Sequence, residues 1–255
     1  MHQYQAKRSK DGAAAGTINR ELATLRHLLN SAARWKWIPK DSVPFFTLVS
    51  EPQQPMAILD DRQAQALLQA AQKDQDDRCW LFVAFGLGAA MRHREILKVR
   101  FEHVDFINRR IYIPDAKAGQ REQPITHSLV LALKAQRAKL PEKERAGWVF
   151  PTLIPKQSKD GHRTNMARAF ARSVMRAGLD PAKVTPHTMR RTAITRLVKA
   201  GIDLPTIQRI SGHKTLAMVL RYVNIHGSHI DRAISVLDDA GSQITQELHR
   251  EEIAA

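Results

Sequence analysis

Tyr222 closes a stretch, Pro186 to His226, that also holds His187, Arg190 and His213. A phenol, with an ordinary pKa of ~10, is a poor nucleophile unless positive groups stabilise the developing phenolate and a crowded phosphorus. Such groups stand close in sequence. His187 and Arg190 form His-x-x-Arg, which on a helix places both on one face. Arg190 offers a planar fork of donors suited to two phosphate oxygens, which lysine would not reproduce. Gly212 lets the chain turn sharply and aims His213 toward whatever Arg190 holds. Taken singly, each residue has a plainer reading: Tyr222 as a packed tyrosine, and the His-x-x-Arg pair as a solvated helix face.

Two more cations lie far away in the chain. Arg92 ends an apolar run and has Glu95 three residues on, so a charge pair across one turn can orient it. Lys117 stands at the tip of a predicted hairpin beside Gly119. A solvated helix end and a surface turn explain these two equally well alone. Their joint occurrence in the order Arg, Lys, His-x-x-Arg, Gly-His, Tyr is more specific.

That order resembles the tyrosine recombinase, or phage integrase, family. The segment AAMRHREILKVRFEHVDFINRRIYI is similar to the family's first arginine motif, with Arg92 in the catalytic position and Glu95 as its structural acid. Lys117 in DAKAGQREQPI resembles the hairpin lysine, and PHTMRRTAITRLVKAGIDLPTIQRISGHKTLAMVLRYVNIH supplies His187, Arg190, His213 and Tyr222. Ala89 and Ala90 depart from the Thr-Gly that many relatives carry before this arginine, which bears on the turn holding Arg92.

The resemblance implies a site-specific recombinase. Tyr222 attacks a DNA phosphodiester to give a 3′-phosphotyrosyl intermediate and a free 5′-hydroxyl, while Arg92 and Arg190 bind the non-bridging oxygens. Lys117 protonates the leaving oxygen, His187 assists proton transfer, and His213 hydrogen-bonds the phosphate. Neither cofactor nor metal is expected, because cationic side chains take the metal's place. The implied partners are a double-stranded attachment site, further copies forming a homotetramer on DNA (monomer or weak dimer without it) and an accessory DNA-bending protein. Two other readings stay open: a noncatalytic DNA-binding remnant and a type IB topoisomerase-like relaxing enzyme.

The composition agrees with a polyanionic partner. The 255 residues carry a formal net charge of +15, and clustered cations release counterions when they meet phosphates. Between Gly161 and Ile225 there are 12 Lys and Arg against 2 acids, so the chemistry-bearing stretch lies in a strongly basic region. The single cysteine, Cys79, excludes an internal disulfide and a thiolate zinc site and reads as a small buried hydrophobe. The longest apolar run, Trp80 to Met91, is too short to span a bilayer. With no signal-peptide core in view, the expected location is cytoplasmic and nucleoid-associated.

The elements that must position these residues read as mainly α with a small antiparallel β-sheet, like a tyrosine recombinase catalytic domain. Residues 1–14 are expected to be a flexible tail and 15–50 part of a helical core-binding region, with Thr17 capping its helix. A proline-rich linker follows at 51–57, then the catalytic domain at 58–240 and a polar tail at 241–255. Asp60 or Asp61 begins a helix through about Gln72, and CWLFVAFGLGAAM, apolar on nearly all sides, is expected to be the central buried helix. VDFINRRIYIP and QPITHS predict the strands around the Lys117 hairpin. Helices are expected over 129–140, 164–177, 188–200, 204–210, 215–222 and 229–237, the last packing on a neighbouring protomer or in cis.

Overall fold

The computed structural model describes residues 2–51, 57–115, 119–152, 154 and 158–223. Lys117 and the helix expected at 229–237 lie outside these residues. The chain divides into two compact units, Met1–Pro55 and Met56–Ala255.

In the first unit, α1 (His2–Lys10) and α2 (Ala15–Arg34) form a helical pair. The sequence predicts a flexible tail over residues 1–14, and the structure instead contains α1. Its ordering is polar rather than apolar, since no α1 residue is buried. Arg8 grips Glu21 through Nε at 3.0 Å and Nη2 at 2.8 Å, and the Tyr4 hydroxyl donates to the same carboxylate at 2.8 Å. Thr17 is not the cap expected of it. The helix begins three residues earlier, with Ala14 as the N-cap and the Thr17 N–H already bonded to the Ala14 carbonyl at 2.8 Å. Ile18, Leu22 and Phe46 form this unit's small core. The Asn19 amide pins residue 49 by donating to its carbonyl and accepting from its N–H.

The second unit begins with α3 (Asp61–Gln72), started by a reciprocal capping box in which Asp60 accepts from the Gln63 N–H at 2.7 Å. The buried centre is α4 (Cys79–Gly88), whose sequence CWLFVAFGLG has no polar face to give to water. It packs against α3, α6 (His127–Ala138), α7 (Ala167–Arg176) and α8 (Pro186–Lys199). Gly86 permits the approach to α8, because a Cβ there would lie 2.9 Å from the Met189 Cβ. The close crossing sets the height at which the next residue of α8, Arg190, meets the end of α4.

After α4 the chain turns through Ala89–Met91 into the short α5 (His93–Leu97). Strands β1 (Val104–Asp105), β2 (Arg110–Ile113) and β3 (Arg121–Pro124) form an antiparallel sheet in that order. Ile111 and Ile113 point into the main core, and Gln123, opposite Ile111, is fully buried. The helical architecture with one small sheet is the fold class expected from the sequence. Boundaries moved only locally: α8 starts two residues early because Pro186 takes the first helical position, where its missing N–H costs nothing.

The last described elements are α9 (Leu204–Ser211) and α10 (Ala217–Val223). Asp203 caps α9 by accepting from the Thr206 N–H at 2.8 Å, and Gly212 ends it in the left-handed conformation at φ 64°. Ala193, Ile194 and Val198 of α8 join Ile207, Val219 and Tyr222 in a second apolar cluster that includes Ala90. Among the described residues no helix is long and apolar enough to cross a membrane.

Candidate active site

The site is assembled where three chain reversals meet: the α4–α5 turn, the start of α8, and the Gly212 turn after α9. Arg190 lies at their centre and is 5 % exposed. Its Nη1 donates to the Ala90 carbonyl at 2.6 Å, and its Nη2 to the Ser211 carbonyl at 2.7 Å. The same Nη2 lies 3.3 Å from His213 Nε2. Burial, followed by the nearby Arg92 charge, lowers the Arg190 pKa to about 10, which still leaves it charged at neutral pH.

Ala90 supplies its carbonyl from an unusual backbone position, at φ 49°. This is the departure from Thr-Gly noted in the sequence. The turn keeps a left-handed residue although alanine occupies it, and both carbonyls it exposes are used. The Gln123 amide donates to Ala89 at 2.9 Å while Arg190 takes Ala90.

Arg92 is the N-cap of α5 and carries two anchors. Nη1 donates to Glu95 at 2.8 Å, and Nη2 to the Gly212 carbonyl at 2.8 Å. Glu95 also accepts from the Arg92 backbone N–H at 3.2 Å, the half of a capping box that an acid at this position can make. Burial alone would raise the Glu95 carboxyl. Arg121 and the hydrogen bonds from Arg92 outweigh it, and the net shift is downward.

Arg121 was not singled out by the sequence. From the first residue of β3 its Nη2 donates to Glu95 at 2.9 Å, and Nη1 reaches the Ile210 carbonyl at 3.3 Å and the Gln123 side chain. It lies directly under Gly212, where an added Cβ would come within 2.9 Å of Arg121 Nε. Gly212 is therefore needed twice, for its positive φ and for that close approach. The only sequence signal for Arg121 is a basic residue two positions before Gln123 on a strand whose partner face is apolar, which does not reveal its partner Glu95.

His213 stands beyond Gly212, with Nδ1 2.7 Å from Ser211 Oγ. Burial first, then Arg190 and Arg92, depress its pKa to about 4, so it is neutral at pH 7. The Tyr222 ring, 8 % exposed on α10, lies with its centroid 6.0 Å from that of His213. His187, in the first turn of α8, is more exposed. It meets His93, the residue after Arg92, edge-on at 5.4 Å. Burial lowers the His187 pKa, with His93 and several arginines adding to the effect.

Of the residues expected from the sequence, Arg92, Glu95, Arg190, His213 and Tyr222 come together, and His187 borders them through His93. The cluster holds three guanidinium groups, Arg92, Arg121 and Arg190, around one carboxylate, Glu95. Arg92 and Arg121 share that carboxylate and Arg190 has carbonyls and His213 as its partners, so the three guanidinium groups and one carboxylate leave a net charge of +2. An anion would complete the arrangement, and a tyrosine stands at its edge.

The phage integrase family model matches residues 57–229. The chain belongs to this family. Its members are tyrosine recombinases, metal-independent enzymes that cleave and rejoin DNA. Relatives include a tyrosine recombinase XerC of Chlamydia muridarum, 26 % identical over 236 residues that cover 88 % of this chain and 70 % of the relative. The integrase of Salmonella phage P22 is 22 % identical, covering 89 % of this chain and 58 % of its own length. Among solved structures, a Tn1549 transposon integrase fragment in complex with transposon right end DNA superposes with a TM-score of 0.77. It is 20 % identical, and the match covers 94 % of this chain and 84 % of that one. The XerH recombinase bound to a palindromic difH substrate gives 0.64 at 17 % identity, over 89 % and 69 %. These structural likenesses carry the fold. The tyrosine recombinase assignment rests on the family match.

Proposed function

We propose that this recombinase binds a double-stranded attachment site and exchanges strands through a 3′-phosphotyrosyl intermediate, with Tyr222 as the nucleophile. The observation that carries this reading is the convergence of Arg190, His213 and Tyr222 beside Arg92 in a cluster of net positive charge. The scissile phosphate supplies the missing anion. Arg92 and Arg190 hold its non-bridging oxygens, and their anchoring to backbone carbonyls means they need no rearrangement as charge builds on phosphorus.

Tyr222 attacks in line and its proton passes toward His187, whose depressed pKa keeps it in the neutral, proton-accepting form at pH 7. Lys117, which the sequence puts between β2 and β3, is the acid for the leaving 5′-oxygen. His213 hydrogen-bonds the phosphate, and Glu95 orients Arg92. The covalent bond conserves the energy of the broken linkage, so a 5′-hydroxyl from another strand rejoins it with no nucleotide cofactor. Two duplexes with two protomers each make the working assembly a homotetramer on DNA, with monomers or weak dimers in its absence. An accessory DNA-bending protein and a cytoplasmic, nucleoid-associated location complete the proposal. Residues 15–50 act as part of a core-binding region, 51–57 as a linker, and 58–240 as the catalytic domain.

The test uses a nicked duplex selected for binding from a randomised pool, so that cleavage releases a short strand and traps the adduct. Wild-type protein is expected to form a denaturant-resistant protein–DNA adduct, and Tyr222→Phe to bind equally and form none. Binding without an adduct from the wild type would instead identify a noncatalytic DNA-binding protein. Relaxation of supercoiled plasmid without site preference would favour the topoisomerase-like reading.

A further inference from the structure

The two ring nitrogens of His213 have different neighbours, and these decide where its proton lies. Nε2 is 3.3 Å from Arg190 Nη2, and Nδ1 is 2.7 Å from Ser211 Oγ. A guanidinium has donors only, so the nitrogen facing it must be an acceptor. A neutral ring then carries its proton on Nδ1 and donates it to Ser211. The Ser211 hydroxyl, fully buried, passes its own hydrogen to the Gln208 carbonyl at 3.3 Å. That carbonyl already receives the Gly212 N–H at 2.8 Å, so the hydroxyl's bond to it is long and dispensable.

A phosphodiester resting on Arg190 changes the requirement. With the proton on Nδ1, His213 turns a lone pair toward the anion. With the proton on Nε2, it turns a donor. The groups facing the ring are Arg190 from α8, Arg92 from the start of α5 and Tyr222 from α10. The two guanidinium groups only donate, and the hydroxyl within hydrogen-bond distance of Nδ1 is that of Ser211, not of Tyr222. A hydroxyl can both give a hydrogen bond to Nδ1 and take one from it, simply by rotating.

We propose that Ser211 is a positioning residue that holds the His213 proton on Nδ1 in the free site and, by reversing its hydroxyl, on Nε2 when a phosphodiester is bound. In the exchange Nδ1 releases one proton to solvent and Nε2 takes one from solvent, so the ring stays neutral and no charge is created in the buried site. Ser211 gives up its long bond to Gln208 and donates to Nδ1 instead. The inference rests on the recombinase reading for its consequence, but not for its first half, which concerns the free protein alone.

Histidine labelled with ¹⁵N reports the protonated nitrogen directly. Free wild-type protein is expected to show His213 protonated on Nδ1. Tyr222→Phe protein saturated with the selected duplex is expected to show it on Nε2. Ser211→Ala removes the partner while leaving the arginines in place. Its affinity for the duplex should stay within about twofold, whereas single-turnover cleavage should fall at least about tenfold, as for a misdirected donor to developing charge. Ser173→Ala is the matched control, since Ser173 is equally buried but hydrogen-bonds Cys79 and the Ala169 carbonyl away from the site. It should leave the cleavage rate unchanged. A free-protein spectrum with the proton on Nε2 overturns the proposal. So does wild-type cleavage by Ser211→Ala when Tyr222→Phe is inert. A wild-type protein that binds the duplex and forms no adduct counts against the recombinase reading, and the free-protein spectrum still decides the role of Ser211.

Discussion

Ala90 shows how one backbone angle carries a site. A non-glycine residue in the left-handed region costs roughly 1–2 kcal/mol, and Ala90 occupies it at φ 49° to deliver its carbonyl to Arg190. Glycine there removes that cost, but it also loses a buried methyl worth about 0.8 kcal/mol and frees the unfolded chain by roughly 0.4–1 kcal/mol. The terms cancel, so Ala90→Gly should lie within about 0.5 kcal/mol of wild type in denaturant unfolding. Ala193→Gly, in a right-handed helix and also buried, has no strain to relieve and should lose about 1–2 kcal/mol. Equal losses for the two variants would show that Ala90 is unstrained. The side chains that converge here, Arg92, Glu95, Arg190, His213 and Tyr222, could be singled out in the sequence because their types and order are specific. Ala90's angle could not, since nothing local distinguishes an alanine in a left-handed turn from one in a helix.

The helix α9 is short and its ends do separate jobs. Asp203 accepts the Thr206 N–H of the first turn, and Gly212 directs the chain toward His213 while giving Arg92 its carbonyl. A cap of this kind contributes about 1 kcal/mol. Asp203→Ala should therefore lower global stability by about that amount and loosen the Gly212 turn preferentially, seen as faster amide exchange at residues 206–213 than in α8. Uniform change across both helices would mean that α9 does not open on its own. The helix expected over 204–210 matches α9 to within one residue, and Gly212 marked the turn that ends it. Its long-range partner could not be read from the sequence. Arg121 reaches Ile210 from a strand 89 residues earlier, and only the tertiary fold brings that strand beneath the Gly212 turn. The opposite error occurred at α1, where low apolar content suggested a flexible tail and the pairing of Arg8 and Tyr4 with Glu21 instead accompanies a helix.

At the scale of the whole molecule, charge dominates. A formal net charge of +15 on 255 residues, with the excess gathered around the site-bearing helices, makes association with DNA a counterion-release process. The logarithm of the affinity should fall linearly with the logarithm of salt concentration, with a slope near −0.9 per phosphate contacted. For a surface this basic, a slope of about −5 or steeper is expected by filter binding or fluorescence anisotropy. A slope near zero would mean that the basic surface does not meet the DNA backbone. The fold class was legible because an all-apolar helix flanked by amphipathic ones admits few packings. How the site's parts meet required the close crossing of α4 and α8 at Gly86, which a lone glycine in an apolar run does not announce.

Arg190 is aimed by main-chain oxygens, those of Ala90 and Ser211, and the carbonyls of Gly212 and Ile210 share the aiming of Arg92 and Arg121 with the Glu95 carboxylate. A point substitution can delete a carboxylate, but it cannot delete a carbonyl. The orientation of these guanidinium groups is thus insulated from the identities of the side chains at those positions, so long as the turns keep their shape. For anyone retargeting such an enzyme, this divides the neighbourhood into two alphabets. Positions 90 and 212 are constrained by backbone angle, whereas a position such as Ile210 offers room for variation without redirecting the arginine it anchors.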